Sequence, residues 1–155
     1  MTRRLLLAAT LSLCSAAQAL TVAPAGNFSA TGSMALTKGI VPVTCATTFS
    51  GTVTAEGVIN VTSVTFAGSN FICRRISPIG LPWSGKADSD SQLTINGMQV
   101  NISAPLLGGL CGPIDVTAEW QKDMSAAHFN HVSLKPDCTM DGSMATTPKI
   151  TVTPS

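Results

Sequence analysis

The chain has little charge: only 11% of its residues are Asp, Glu, Lys or Arg, nine of them basic and eight acidic. The basic residues form no stripe that would neutralise phosphates, which argues against a nucleic-acid partner. There is also no uninterrupted apolar run of about 18 residues, so no helical membrane span is expected. No helical apolar period persists beyond about two turns. A Gly-x-Ser-x-Gly elbow is missing, and Pro82-Trp83-Ser84-Gly85 has only a superficial likeness to one. Asp88 and Asp90 lack the glycine and the distal glutamate of a calcium loop and read as a solvated turn.

What is present begins with Arg3-Arg4, an apolar stretch from Leu5 to Ala16, and Ala17-Gln18-Ala19, whose small residues suit signal peptidase. This predicts a signal peptide over residues 1–19 and a single β domain over residues 20–155. The expected address is outside the cytoplasm: the medium, the periplasm or the cell surface. About 136 residues suffice for one hydrophobic core. Cys14 leaves with the leader, and Leu13 is too bulky to precede a lipidated cysteine. Cys45, Cys73, Cys111 and Cys138 then remain, an even number in an oxidising compartment, predicting two disulfides.

Val, Ile, Thr and Ser dominate, punctuated by Gly, Asn and Pro, so strands are expected throughout. They are expected at Phe28 to Leu36, Val43 to Val53, Val58 to Ala67, Phe71 to Ile76 and Met144 to Val152. Asn96-Gly97 predicts a type I′ hairpin that pairs Ile95 with Met98 and Leu93 with Val100. Ile114, Val116, Ala118 and Trp120 alternate with polar residues, forming a half-buried strand whose partner is Ala127 to Leu134. The apolar phase slips between Phe129 and Val132, and again between Val61 and Val64. A β-bulge in each place keeps both apolar sets inside. Ser77 to Ser91 reads as the longest irregular connection. The sum is an all-β, antiparallel β-sandwich or Greek-key barrel of about nine strands.

Each cysteine pair brackets a hairpin, which favours Cys45–Cys73 and Cys111–Cys138, although two other pairings are open. Each bridge would close a loop of about 28 residues, stabilising by roughly 3 to 4 kcal/mol in the loop-entropy model.

Chemistry-bearing residues are sparse. His128 and His131 lie three apart, on opposite faces of a regular strand, and no ligand set surrounds them, so they read as solvent-facing. No metal or other cofactor is implied, and an enzyme ranks below the noncatalytic readings because no catalytic constellation is assembled. Trp83 is a candidate binding platform for a sugar or an apolar ligand, with a core plug as its other reading. Trp120 reads as core.

Several elements occur in a fixed order: Pro24-Ala-Gly26-x-Phe28-x-Ala30-Thr31-Gly32, Leu36-Thr-Lys38-Gly39, Cys45 with Phe49-Ser-Gly51, and Leu81-Pro82-Trp83. Leu93-Thr-Ile95-Asn96-Gly97, Cys111-Gly112-Pro113, and Cys138 followed by Gly142 complete the set. Together they resemble the alkane-oxidation activator (PraA/PraB-like) family of small exported bacterial proteins. That resemblance implies a secreted accessory protein that promotes alkane uptake or oxidation at the cell surface or an oil–water interface, without oxidising the alkane. Its expected partners are alkane or another hydrophobic interface, or components of the cell surface or biofilm matrix, with self-association. The four cysteines and the glycine turns transfer as scaffold; the basic pair Arg74-Arg75 receives no role from it. A second class is a pilin-like or carbohydrate-binding adhesin module, in which Leu20 to Leu36 would be the strand donated to a neighbour.

Overall fold

The structure is a computed structural model and describes residues 20–154; the predicted leader, residues 1–19, lies outside them. Among the described residues are eleven strands and one 3-10 turn. Strands β1 (Leu20–Ala23), β2 (Gly26–Lys38), β3 (Val41–Val53) and β4 (Ile59–Ala67) are followed by the 3-10 turn Phe71–Arg75. Then come β5 (Ile76–Pro78), β6 (Trp83–Ser89), β7 (Gln92–Ile102), β8 (Gly109–Gln121), β9 (Ala126–Leu134), β10 (Cys138–Thr147) and β11 (Thr151–Pro154).

Eight of these strands close an antiparallel barrel in the order β2-β3-β4-β6-β7-β8-β9-β10, with β10 returning to β2. Each neighbour is next along the chain apart from the short β5, so the path is a meander closed on itself. Alternation explains the inside: Phe28, Ala30, Met34 and Leu36 of β2, and Val43, Cys45, Phe49 and Val53 of β3, all point inward and are buried. Strand β2 is held between β3 and β10 of its own chain, so Gly26 to Leu36 fills a place in this barrel, while Leu20 to Ala23 pairs with β11; neither part is left over for a neighbour.

The two expected bulges are present. Ser50 faces Ser63 while the adjacent Gly51 faces Val61, so β4 carries an extra residue between Val61 and Val64. Met140 faces Val132 while Gly142 faces Phe129, giving β9 its extra residue at Asn130-His131. Phe129 and Val64 are buried as a result.

The Asn96-Gly97 hairpin does not form. Strand β7 runs straight through it for eleven residues, from Gln92 to Ile102. A type I′ turn needs positive φ at both central residues, and here Gly97 alone has it, at +66°. Ile95 faces Val116 and Met98 faces Ile114, so the extra residue is a bulge against β8. The Gly97 N–H, freed from the ladder, donates to Asp115 Oδ1 at 2.9 Å. Local turn preference yields because β7 pairs along its length with β8 on one side and with β5 and β6 on the other. Ile95 and Met98 are both buried, as the apolar pattern demands, through a bulge and not through a turn.

Three other expectations change. Phe71 to Ile76 is not a strand: Asn70 Oδ1 accepts the Ile72 N–H at 3.0 Å and caps a 3-10 turn. Ser77 to Ser91 is not irregular throughout, because β5 and β6 lie end to end along one edge of β7. Its prolines and glycines confine these strands to three and seven residues. Finally, Met144 to Val152 splits: β10 ends at Thr147, and β11 leaves the barrel to pair with β1.

The β1–β11 ribbon packs Val22 and Val152 onto the barrel end that carries the β3–β4 turn. Ser125, 2% exposed, anchors the approach to it. Its hydroxyl accepts the Ile150 N–H at 2.7 Å and lies 2.6 Å from Thr146 Oγ1. Replacing it by alanine leaves Ile150 with a longer bond to Thr146 Oγ1 alone, at 3.2 Å. We expect Ser125→Ala to cost about 1–3 kcal/mol in denaturant melts and to speed amide exchange in β1 and β11 ahead of the barrel strands. Equal protection in ribbon and barrel would show that the hydroxyl does not hold the ribbon.

Candidate functional site

The four cysteines gather at the opposite end of the barrel. Cys45 and Cys73 are bridged, with sulfurs 2.10 Å apart, and Cys111 and Cys138 are bridged at 2.00 Å. The first bridge fastens the 3-10 turn to β3, and the second joins the start of β8 to the start of β10. All four cysteines are buried.

Trp83, the candidate platform, is inside the barrel with 1% of its surface exposed. Its Nε1–H donates to the Ile79 carbonyl at 2.9 Å, and its ring meets Phe49 edge-on, centroids 5.9 Å apart. Any ligand reaching it would have to be internal. The pair Phe49–Trp83 lies between two apolar voids, of about 20 and 50 Å³. Sites for small organic ligands typically measure about 300–1,000 Å³. An eight-stranded barrel has an interior just wide enough for side chains to fill, and here they fill it. A long-chain alkane has no room inside.

His128 and His131 are both on the outside but do not converge. His128 Nδ1 is 2.7 Å from Ser143 Oγ, whereas His131 Nδ1 is 2.9 Å from Asp141 Oδ1. Asp141 also accepts the His131 backbone N–H at 2.7 Å, which steadies the bulge. The sequence gives no hint of that partner, because Asp141 comes from the adjacent strand. Among the described residues, no cluster of three or more His, Cys, Asp or Glu is placed to hold a metal ion. No helix among them is long and apolar enough to cross a membrane.

The outer surface of the disulfide end carries the two most exposed large apolar side chains among the described residues, although Met124 and Val58 are also exposed, in turns at the opposite end. The connections of the disulfide end are laced together. The Ser103 N–H donates to the Arg75 carbonyl at 2.8 Å, the Gly39 N–H to Asp137 O at 2.8 Å, and the Gly112 N–H to Lys135 O at 2.6 Å. Lys38 Nζ bonds Asp137 Oδ1 at 2.5 Å, closing the β2–β3 turn against the β9–β10 turn. From this braced rim project Ile40, 94% exposed, and Leu106, fully exposed, with Phe71 and Leu110 also exposed. Ile40 and Leu106 line a surface cleft of about 310 Å³ together with Val41, Leu107 and the Lys38–Asp137 ion pair.

Leu106 is unusual twice over, being an aliphatic side chain in solvent on a backbone with φ of +66°. A left-handed conformation is uncommon for residues other than glycine and a genuine outlier for bulky ones. Gly or Asn would form this loop with less strain. The side chain is fully exposed, so no buried contact offsets the strain of its backbone. Sequence reading passed over Ile40 and Leu106 because each sits alone in a turn. Only closure of the barrel places them across one cleft.

Chemically, this end can present apolar tips to another apolar phase while the disulfides and hydrogen bonds keep the tips in place. It assembles no nucleophile beside a base. No curated protein and no solved structure matches the chain at a significant level. A family profile described as alkane oxidation protein activator PraA/PraB-like matches residues 1–154, and on that near-complete match the chain belongs to the PraA/PraB-like alkane oxidation protein activator family.

Proposed function

We propose that the protein is an exported, noncatalytic accessory that promotes alkane uptake or oxidation by adsorbing through its disulfide end at an oil–water or cell-surface interface. The observation that carries this reading is the projection of Ile40 and Leu106 into solvent from a rim whose connections are hydrogen-bonded to one another. Two features support the division of labour. The barrel interior is too full to carry an alkane, so contact with hydrocarbon falls to the exterior. The paired cysteines suit an oxidising compartment, where the encounter with extracellular hydrocarbon takes place.

Fully burying an Ile or Leu side chain is worth about 1.5–3 kcal/mol, so two tips that enter oil only in part still shift adsorption measurably. The protein is expected to lower hexadecane–water interfacial tension. Ile40→Ser/Leu106→Ser should need at least about tenfold more protein for the same drop, with the melting temperature unchanged. If the variant and a heat-unfolded control both match the native protein, adsorption is nonspecific and the reading fails.

A further inference from the structure

The family resemblance leaves Arg74 and Arg75 without a role, and the structure puts them in the same 3-10 turn as the exposed Phe71, at the disulfide end. Both are exposed at the end of the 3-10 turn, and the Arg75 carbonyl is tied to Ser103 at the root of the loop that carries Leu106. Lys135, also exposed, lies in the β9–β10 turn, whose Asp137 carbonyl accepts the Gly39 N–H next to Ile40. Asp137 is the acidic residue of these connections, and Lys38 already pairs with it. Arg74, Arg75 and Lys135 have no carboxylate within salt-bridge distance among the described residues. At the opposite end the turns carry Glu56, Asp90 and Asp123 together with Lys122, which pairs with Asp90, and Lys149. Near-zero net charge thus conceals an uneven distribution: of the four unpaired cationic side chains among the described residues, Arg74, Arg75 and Lys135 are at the disulfide end and Lys149 is at the other, among acidic turns.

We propose that the disulfide end docks on an anionic lipid surface, with Ile40, Phe71 and Leu106 entering the headgroup–acyl boundary and Arg74, Arg75 and Lys135 meeting the phosphates. This inference rests on the interfacial reading above and names the interface. Bare hydrocarbon would reward the apolar tips alone and would leave the three cations in the adjoining water with no opposite charge to meet. Negatively charged headgroups accept both at once, because aliphatic tips reach the hydrocarbon boundary while the flexible stems of Arg and Lys hold their charges at phosphate level. Each cation near an anionic leaflet strengthens binding by about fivefold. A second copy of the chain would place acidic turns on this rim but offers no apolar phase for Leu106.

Flotation of the mature protein with three preparations decides the matter: bare hexadecane droplets, phosphatidylcholine vesicles, and phosphatidylcholine vesicles containing phosphatidylglycerol. The expected result is binding to the anionic vesicles at least tenfold tighter than to the zwitterionic ones, falling off at about 1 M salt, where the Debye length is about 3 Å. Arg74→Ser/Arg75→Ser should lose about 25-fold on anionic vesicles and little on droplets. Lys86→Ser/Lys149→Ser, which removes two charges from the other half of the barrel, should bind as wild type. Equal binding to both vesicle types overturns the proposal, as does an Arg74→Ser/Arg75→Ser variant that is folded by tryptophan fluorescence and binds normally. Adsorption to droplets with no preference for anionic vesicles sinks this inference alone, whereas absence from droplets as well sinks the interfacial reading beneath it. Self-association through the rim would appear as sedimentation of the protein without vesicles, reversed by salt, and would also overturn it.

Discussion

Reduction of both disulfides is expected to unfold the barrel under conditions where the oxidised protein is fully folded. The bridges close loops spanning 28 and 27 residues. The loop-entropy model assigns about 3.5 kcal/mol to each, about 7 kcal/mol together. A domain of ordinary stability has about 5–15 kcal/mol in all, so loss of both bridges removes nearly half of it at the top of that range and all of it at the bottom. The two bridges also act on different parts of the structure. Cys45–Cys73 restrains the 3-10 turn and hence Phe71, Arg74 and Arg75, whereas Cys111–Cys138 holds two barrel strands at their starts. Cys45→Ser/Cys73→Ser should therefore weaken adsorption as well as stability, while Cys111→Ser/Cys138→Ser should act chiefly on stability. Urea melts of the oxidised protein, the reduced protein and the two double variants test this. A reduced protein with an unshifted midpoint would show that packing alone sustains the fold.

Gly51→Ala is expected to cost about 3 kcal/mol or more, a large effect for one methyl group. Gly51 lies on the inward phase of β3, opposite the β4 bulge, and a Cβ there would stand 1.8 Å from the Asn60 carbonyl oxygen. That neighbour is backbone and cannot swing aside. Gly32 repeats the arrangement on β2, where a Cβ would stand 1.8 Å from the Ser143 carbonyl oxygen. Strands bend most sharply where glycine lets one backbone approach another, and a small barrel needs such points to close. Ser50→Ala, one residue away on the outward phase, should change stability by less than about 0.5 kcal/mol. Thermal melts of Gly51→Ala and Gly32→Ala matching wild type would show that the strands part without penalty and that these glycines do not set the curvature.

Strand content was legible because alternation of period two survives in β2, β3, β7 and β8, and because an apolar slip such as Phe129 to Val132 has no simpler remedy than a bulge. The cysteine pairing was legible for a related reason: antiparallel hairpins return the chain to its starting height, bringing residues about 28 apart close together. Local reasoning failed at Asn96-Gly97, where a strong turn signal met a strand already paired on both edges. It failed again at Ser77 to Ser91, where β5 has only three residues and the Gly and Pro signals around Pro78, Gly80, Pro82 and Gly85 mask the alternation of β6. The apolar rim was illegible for a different reason. Ile40, Phe71 and Leu106 belong to three separate connections, and an isolated apolar residue in a turn is unremarkable in a sequence.

The chain's own order of residues determined its β character and the bulges of β4 and β9, and favoured the observed partners of its cysteines, because each depends on spacing along one strand or across one hairpin. Tertiary structure alone decided that the sheet closes through β7 and β8, that Trp83 turns inward, and that Ile40 and Leu106 share one end with Arg74, Arg75 and Lys135. Those outcomes depend on which strand edges meet after folding, and edge-to-edge closure is a property of the whole sheet that no single segment encodes.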